Sequence, residues 1–488
     1  MTGIEQGYAL EPSVAVVGTY PAPEGVAAGM ARISRDATPI PDLVRAAVED
    51  TTLARKRNEN IIFGYGHSSV AEHGVFSVAV QQIPRSLSLE LVSHRLASYT
   101  QLSYRYVPLD RLPVHYFLPL ELREGPAREI ATEAMARALG LYERIYRATI
   151  AHLLSSGEKK GQEAAARRAT EDARYVLPVA QTTQVGMTAN ARTWGHVICR
   201  LLSHDLSEHR ALGQRLKEAL QPLAPSLFPD KYLRALDYPG SALDALASQL
   251  AALGSPDQDR MPVAAPSTAP QARLIHHDPH AERALAATLL FRVGGLDHHQ
   301  RAALGQSLTA HDVARVIGAG FAGLAAHDTV LREFETVSYT FELTVSEACL
   351  HQLVRHRMST QVVQERAVRL GYTVPPLIEA VGAQPLELYH QAMALLEDAY
   401  ARLAQTVGAR RAGIILGNGH NRRVLLHLNA RELIELSRLR ADLHAQWDVR
   451  DTVTAMIAAV QEAHPAIAAG TGGRDAFKAS ALPIAAGA

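Results

Sequence analysis

The sequence predicts an α+β protein in which one structural unit occurs twice in tandem. Two short motifs recur in the same order in both halves, and a stretch without apolar periodicity separates the halves. Each half also contains both strand-type and helix-type patterns. Repetition at a long interval is typical of duplicated architectures, and segregated strands and helices are typical of α+β units.

The repeated motifs are short but ordered. Residues 91–95 read LVSHR and residues 353–357 read LVRHR, while residues 190–192 and 429–431 both read NAR. The intervals between the two motifs are similar in the two halves, and an apolar helical stretch follows each NAR. Two ordered matches with comparable spacing indicate a duplication.

The boundary between the halves is predicted by composition. Residues 254–273 are rich in Pro, Ser and Ala, which is typical of a flexible linker. We therefore predict a first domain over residues 1–253 and a second domain over residues 274–465. Because residues 466–488 are rich in Ala and Gly, we expect a poorly ordered tail there.

Local patterns predict the elements of each half. Residues 75–83 and 338–345 are rich in β-branched and aromatic side chains and are predicted to be strands. Residues 128–153 and 386–406 place apolar side chains at helical spacing and are predicted to be amphipathic helices.

Charge and composition exclude several functional classes. The chain has 49 basic and 49 acidic residues, which does not favour a nucleic-acid or anionic-membrane partner. No apolar run approaches the roughly 20 residues needed to span a bilayer, and we expect no signal peptide. Cys199 and Cys349 are too few for a disulfide framework and fit a cytoplasmic protein.

A polar cluster follows the first repeated motif. Residues 93–106, SHRLASYTQLSYRY, combine hydroxyl, amide and guanidinium groups of the kind that bind phosphate, although a solvated, salt-bridged face is the alternative. In the second copy Arg355 replaces Ser93. Glu365 and Ala367 of the second copy occupy the positions of Ser103 and Arg105 in the first copy. Each copy has therefore lost residues that the other retains.

These residues resemble the signature of flavin-dependent thymidylate synthases, Arg-His-Arg, seven residues, Ser, one residue, Arg. Residues 67–73, HSSVAEH, are similar to that family's FAD-contacting segment, and residues 174–178, RYVLP, to its Arg-x-x-Leu-Pro element. Residues 429–447 resemble its C-terminal helix. The resemblance covers most of both halves and implies an antiparallel sheet with flanking helices in each.

The resemblance implies conversion of dUMP to dTMP, with methylenetetrahydrofolate as carbon donor and NADPH as reductant of FAD. The implied substrate-binding residues are Gln101, Ser103, Arg105, Arg174, Gln352, Arg355 and Arg440. The implied FAD-binding residues are Arg355, His356, Arg357, Asn429, Arg431, His94, Arg95, Ser69, Glu72, Asn190, Arg192 and, from an alignment with gaps, Thr329.

Arg440 and Ser103 are the candidate catalytic residues. Arg440 shares a helical stripe with leucines, so it should pair with Asp442 or Glu435 or face a ligand, because burying it alone is costly. The resemblance implies that it contacts the pyrimidine; Leu201 holds the aligned position. No base in the motif would activate Ser103 as a nucleophile, which favours nucleotide binding.

The losses in the two halves are complementary. The second half has Gly413 for Arg174 and Gly417 for the proline, whereas the first has Glu90, Ser93 and Leu201 for Gln352, Arg355 and Arg440. We hypothesise that one pairing of halves builds a complete dUMP site and the reciprocal pairing is inactive. A homodimer would then imitate the family's tetramer.

Other functions stay open at this point. Thr100 and Gln101 stand where the family usually has Asn and Glu, so a related flavin–folate enzyme acting on another pyrimidine nucleotide is an alternative. A non-catalytic flavin- or nucleotide-binding regulator is a second. The histidines in residues 275–280 and 297–300 lack a second ligand pair at helical spacing, so no metal site is expected.

Overall fold

Two compact units make up the chain in a computed structural model, which describes residues 4–5, 7–107, 115–156, 161–253, 264–269, 271–325 and 327–474. Unit 1 comprises Met1–Met261 and His390–Leu416, and unit 2 comprises Pro262–Tyr389 and Gly417–Ala488. The predicted division differs from this one, because residues 390–416 belong to unit 1. Most of the predicted linker and residues 475–488 of the predicted tail lie outside the described residues.

Unit 1 contains a four-stranded antiparallel sheet in the order β3-β4-β7-β5, and a small sheet of β1, β2 and β6. The strands are β1 (Ile4–Glu5), β2 (Tyr8–Ala9), β3 (Ser13–Thr19), β4 (Val75–Pro84), β5 (Ala97–Gln101), β6 (Tyr116–Phe117) and β7 (Thr182–Asn190). The strand predicted over residues 75–83 is confirmed as β4. Its side chains alternate between the buried and the partly exposed face, as expected for a strand with one face on the core.

Unit 2 contains a second four-stranded antiparallel sheet, in the order β8-β9-β11-β10. Its strands are β8 (Gln271–His277), β9 (Ser338–Ser346), β10 (Thr360–Val363) and β11 (Asn421–Asn429). Each strand follows the same order along the chain and in the sheet as its counterpart in unit 1. The predicted duplication and the strand over residues 338–345 are confirmed.

Helices flank both sheets. Unit 1 contains α1 (Pro23–Arg32), α2 (Ile40–Glu49), α3 (Thr51–Asn58), α4 (Arg85–Val92), α5 (Gly125–Ser155), α6 (Gly161–Ala173), α7 (Ala191–Leu202), α8 (Ser207–Leu220) and α9 (Gly240–Ala252). Unit 2 contains α10 (Ala281–Gly294), α11 (His298–Ser307), α12 (Ala310–Ala319), α13 (Glu347–Leu353) and α14 (Pro376–Val381). The later helices are α15 (Ala383–Val407), α16 (Ala409–Ala412), α17 (Ala430–Arg440), α18 (Trp447–Ala463) and α19 (Pro465–Ala468). The helices predicted over residues 128–153 and 386–406 are confirmed as α5 and α15.

The core of unit 1 explains why residues 390–416 belong to it. Ala131, Ala134 and Ala138 recur at helical spacing along α5 and are buried. Leu396 and Leu403 of α15 lie in the same hydrophobic cluster. Apolar area removed from water in this cluster stabilises the unit by about 25 cal/mol per Å². The sequence pattern predicted the apolar face of α15, and only the fold shows which unit buries it.

The described part of the predicted tail is ordered rather than flexible. Residues 465–468 form α19, in which Ile467 and Ala468 are buried. Glu282 accepts hydrogen bonds from the backbone N–H groups of Ala466, at 2.6 Å, and Ile467, at 3.2 Å. The Ala-rich composition of these residues does not indicate this contact, because the carboxylate that accepts the hydrogen bonds belongs to another helix, α10.

A buried ion cluster lies at the start of α13. The Glu347 carboxylate is 2.7 Å from Arg366 and 2.5 Å from Arg422, and it is 1% exposed. Burial alone would raise the pKa of Glu347, but the two guanidinium groups outweigh it and hold the pKa well below its usual range. In unit 1, Arg85 occupies the position of Glu347, counted back from the LVSHR motif.

Replacing Glu347 with glutamine is expected to lower the free energy of unfolding by about 3–5 kcal/mol, because Arg422 would keep a buried, uncompensated charge. Urea unfolding measures this change. Because the folded pKa of Glu347 is depressed, its stabilising contribution is full above the unfolded pKa and is lost as pH falls towards the folded pKa. The control is Glu342→Gln, whose exposed contact with Arg423 at 3.9 Å should cost less than about 1 kcal/mol. Equal losses of unfolding free energy in the two variants would contradict the role of Glu347 as the buried partner of Arg422.

Candidate functional site

The NAR motifs occupy the junctions between a strand and the helix that follows it. Asn190 and Asn429 are the N-caps of α7 and α17, and their side chains accept hydrogen bonds from the N–H groups of Thr193 and Glu432, each at 2.8 Å. A capping asparagine satisfies a backbone donor that has no partner within the helix. The cap thereby fixes the direction of the arginine two residues later.

Each motif arginine pairs with a glutamate from a short turn before the central strand. Arg192 lies 2.6 Å from Glu72 in the 3₁₀ turn Ser68–His73, and Arg431 lies 2.5 Å from Glu335 in the turn Arg332–Thr336. Arg431 also donates to the hydroxyl of Thr329 at 3.1 Å. The structure thus places Thr329 beside Arg431. Sequence reasoning missed Glu335, although it precedes its strand by the same interval as Glu72.

A cleft opens beside each of these arginines. In unit 1 a cleft of about 650 Å³ runs along α7, from Ser68 and Arg192 to Cys199. In unit 2 a cleft of about 470 Å³ is lined by Thr329, Asn429 and Arg431. Both volumes are within the range of ligand pockets, about 300–1,000 Å³. An arginine beside a helix N-terminus suits an anionic group such as a pyrophosphate.

His356, the fourth residue of the LVRHR motif, contacts both Glu432 and Arg440. Its Nδ1 is 3.4 Å from the Glu432 carboxylate, and its Nε2 accepts a hydrogen bond of 3.0 Å from Nε of Arg440. Burial lowers the pKa of His356, Arg440 lowers it further, and Glu432 opposes the shift. A neutral imidazole with its proton on Nδ1 satisfies both contacts. The chain Glu432–His356–Arg440 therefore holds the arginine in one orientation.

The equivalent histidine in unit 1 has different partners. His94 lies 4.0 Å from Glu90, and burial lowers its pKa to about 4. Glu90 is 2.5 Å from Arg200. At the positions aligned with Glu432 and Arg440, unit 1 has Thr193 and Leu201. Because Thr193 and Leu201 are uncharged, unit 1 has no counterpart of the Glu432–His356–Arg440 chain at these positions.

The predicted helical stripe around Arg440 is confirmed on both helices. Leu433 and Leu436 of α17 are buried, and Arg440 at the end of the stripe is half-buried. In unit 1 the aligned stripe of α7 is entirely buried and ends at Leu201, which is 1% exposed. Glu435, one of the two carboxylates considered for Arg440, lies 3.7 Å from Arg438.

The residues predicted to hold the nucleotide phosphate converge in unit 1. Nε of Arg105 is 2.5 Å from the Glu171 carboxylate, and Nε of Arg174 donates to the Glu171 carbonyl oxygen at 3.0 Å. Ser103 accepts a bond of 3.4 Å from the N–H of Arg105. Gln101 is nearby on β5 and donates to Ser88 at 2.8 Å. Sequence reasoning missed Glu171, which orients both arginines.

Ser103 has the contacts of a binding residue. Its described side-chain hydrogen bond is the one accepted from the Arg105 N–H, and no histidine or carboxylate in the described part of the chain bonds to its hydroxyl. A serine nucleophile requires an adjacent base. The arrangement favours phosphate binding over nucleophilic catalysis.

The remaining predicted residues lie near the C-terminal ends of α13 and α4, except Ser69, which lies in the turn Ser68–His73. Gln352 donates to the Gln446 side chain at 2.8 Å, and Gln446 is fully buried. Arg355 and Arg357 flank His356 and are half-buried. Arg95 follows His94 in unit 1, and Ser69 lies exposed in the turn next to Glu72.

The two histidine-containing stretches have local structural contacts. Asp297 caps α11 by accepting from the N–H of Gln300 at 2.8 Å, and Asp278 accepts from the N–H of His280 at 2.8 Å. In the described ranges no group of three or more His, Cys, Asp or Glu side chains is arranged to hold a metal ion. No helix within those ranges is long and apolar enough to cross a membrane.

Comparisons with known proteins match both halves. The family model described as thymidylate synthase complementing protein matches residues 15–226 and 273–466, which together are most of the chain. A flavin-dependent thymidylate synthase of Clostridium tetani is 33% identical over 213 residues, or 43% of this chain and 82% of its own length. UPF0159 protein Ta1429 of Thermoplasma acidophilum is 25% identical over 465 residues, or 85% of this chain and 88% of its own length.

A solved structure gives a weaker likeness. The crystal structure of flavin-dependent thymidylate synthase ThyX from Helicobacter pylori, complexed with FAD and dUMP, is 19% identical and has a TM-score of 0.31. The match covers 45% of this chain and 98% of that one. The family of this chain is given by the match of the family model to both halves.

Proposed function

The chain belongs to the family of flavin-dependent thymidylate synthases, and from this premise we propose that it converts dUMP to dTMP. Methylenetetrahydrofolate supplies the carbon in this proposal, and NADPH reduces the bound FAD. The flavin supplies the redox chemistry when bound, so the protein has to bind, orient and polarise the reactants.

One observation supports the proposal: each unit retains a different part of the family's residue set. Ser103, Arg105 and Arg174 converge in unit 1, whereas Arg440 is oriented by His356 in unit 2. The complementary losses favour selection for a complete set, because random decay would not respect the partition. We propose that dUMP turnover requires residues of both halves, with Gln101 completing the first set and Gln352 and Arg355 the second.

The residues of unit 1 suit the nucleotide phosphate. Two guanidinium groups present forked donors that match phosphate oxygens, and the Ser103 hydroxyl and the Gln101 amide add neutral donors. Glu171 holds Arg105 and Arg174 in place before the substrate binds. A preorganised site loses less conformational entropy when the ligand binds.

Arg440 suits the pyrimidine ring. A fixed cation lowers the free energy of negative charge that develops on the ring, and a donor that is already oriented needs no reorganisation. His356 accepts from Nε of Arg440 only while its imidazole is neutral, and burial keeps its pKa low. His356 is therefore a positioning residue for Arg440.

The arginines of the two NAR motifs and the residues at the ends of α4 and α13 support FAD binding. Arg192 and Arg431 sit beside helix N-termini, where backbone N–H groups and the helix dipole favour anions. The residues that would hold the cofactor are Arg355, His356, Arg357, Asn429, Arg431, Thr329, His94, Arg95, Ser69, Glu72, Asn190 and Arg192. We extend the proposal to a cytoplasmic homodimer that imitates a four-domain assembly.

The test is dTMP formation by the purified full chain, loaded with FAD and given dUMP, methylenetetrahydrofolate and NADPH. Chromatography of the nucleotide products should show dTMP, with NADPH as a required component. Flavin bound without dTMP would overturn the proposed reaction and direct the search to other pyrimidine nucleotides. A chain that binds neither flavin nor dUMP would overturn the assignment of the site residues as well.

A further inference from the structure

The two clefts lie on the same face of equivalent helices but are lined by different side chains. Counted from the NAR motifs, four positions of α7 face the cleft of unit 1: Arg192, Gly195, His196 and Cys199. The aligned positions of α17 face the cleft of unit 2: Arg431, Ile434, Glu435 and Arg438. We propose that the cleft of unit 1 takes the adenine base of FAD and that its counterpart in unit 2 takes none, so that one chain binds one FAD.

The inference rests on the proposed function and narrows it, because two family-matched halves would ordinarily be assigned two FAD molecules. It concerns the chemistry of each cleft separately.

The walls of the unit 1 cleft suit a flat aromatic ring. Phe63 and Tyr232 stack with their ring centroids 4.2 Å apart and their planes at 10°, and Leu227 and Leu233 line the cleft with them. Aromatic and aliphatic walls with a few polar groups are typical of pockets for aromatic ligands. Residues 227–239, which supply much of this wall, lie between the two regions that match the family model. The part of the wall supplied by residues 227–239 is therefore a feature of this chain outside the matched regions, whereas Phe63 and α7 lie inside them.

Gly195 lies inside α7, where a glycine destabilises a helix relative to alanine. A Cβ at this position would meet Leu233 at 4.0 Å, an ordinary van der Waals distance, so neighbouring atoms do not require a glycine. The aligned Ile434 is 1% exposed and fills the same position in unit 2. The glycine is explained if the space beside α7 is kept for a ligand.

Charge separates the two clefts further. Among the described lining residues of the unit 1 cleft the charged side chains are Arg192 and Arg200, and burial lowers the pKa of the neighbouring His196. The unit 2 cleft is lined by three carboxylates together with three arginines: Glu335, Glu432, Glu435, Arg332, Arg431 and Arg438. Burying a planar base against paired charges would require their desolvation. The base is therefore favoured in unit 1.

The experiment measures FAD per chain. The full chain is saturated with FAD, freed of excess, and its flavin absorbance is compared with its protein concentration; the expected ratio is one FAD per chain. Gly195→Ile, which copies unit 2 into unit 1, should weaken FAD binding about tenfold or more by filling the cleft. The matched control Gly140→Ile makes the same change at an exposed glycine inside α5, where a Cβ would meet nothing within 4 Å, and should keep the ratio of the unaltered chain.

The outcomes separate the inference from the proposed function. Two FAD molecules per chain, or full FAD binding by a folded Gly195→Ile variant, would overturn the inference and leave the proposed reaction standing. Absence of FAD from the unaltered chain would overturn the proposed function itself. Thermal unfolding and dUMP binding of both variants show whether each is folded, and Gly195→Val serves if the isoleucine variant does not fold.

Discussion

The Arg440→Ala variant is expected to lose dTMP formation by about 10²–10³-fold in kcat, the usual loss when one preorganised donor to a developing anion is removed. We expect this loss because Arg440 lies at the end of the buried leucine stripe and its Nε donates a hydrogen bond to Nε2 of His356, which fixes its orientation. Steady-state kinetics with dUMP as the varied substrate measures the loss. Arg440→Lys should recover little of it, because an ammonium group cannot reproduce the guanidinium geometry.

Leu201→Ala is the matched control, since Leu201 holds the aligned position in unit 1. It should lower the free energy of unfolding by about 2–5 kcal/mol through loss of buried packing. Its kcat should stay near that of the unaltered chain at a temperature where it is folded. Turnover by Arg440→Ala equal to that of Leu201→Ala would disprove the catalytic role of Arg440.

The same contact predicts how activity depends on pH. Because the pKa of His356 is lowered, chiefly by burial, the imidazole is neutral at pH 7 and accepts from Arg440. Protonation at lower pH removes the acceptor and places a second cation beside the arginine; Glu432 and Glu435 oppose this charge. The kcat should therefore decline on the acid side with a midpoint below the ordinary histidine pKa of about 6.5.

The second large effect is expected from Arg105→Ala. This change removes a forked phosphate donor and leaves Glu171, which is 15% exposed, without its 2.5 Å partner. Truncation of the cation of a buried arginine–phosphate pair costs about 2–5 kcal/mol, so dUMP binding should weaken by roughly 10²-fold or more. Isothermal titration with dUMP measures the loss directly.

Arg137→Ala is the control for Arg105. Arg137 forms an exposed ion pair at 3.2 Å with Glu133 on α5, and its loss should leave dUMP binding unchanged.

The Arg105→Ala and Arg440→Ala variants together test whether turnover requires residues of both halves. If each half had an independent, complete site, Arg105→Ala and Arg440→Ala would each retain about half of the activity; near-complete loss in both is expected.

The sequence by itself determined the family, the duplication and most of the candidate residues. The repeated motifs, the β-branched strands and the arginine on a leucine stripe are local patterns, so they are readable along the chain. The loss of Ser103 and Arg105 in one copy and of Arg440 in the other was also visible by alignment. The sequence therefore predicted which half retains which chemistry.

Only the tertiary structure decided which groups hold these residues in place. Glu171 orients Arg105, and His356 orients Arg440, through contacts between residues 66 and 84 positions apart. The tertiary structure also decided that residues 390–407 of α15 pack in unit 1 and that Gly195 faces the cleft of unit 1 where Ile434 faces the cleft of unit 2. The physical reason is that hydrogen bonds, burial and cavity shape depend on which distant segments meet, and no local periodicity records that.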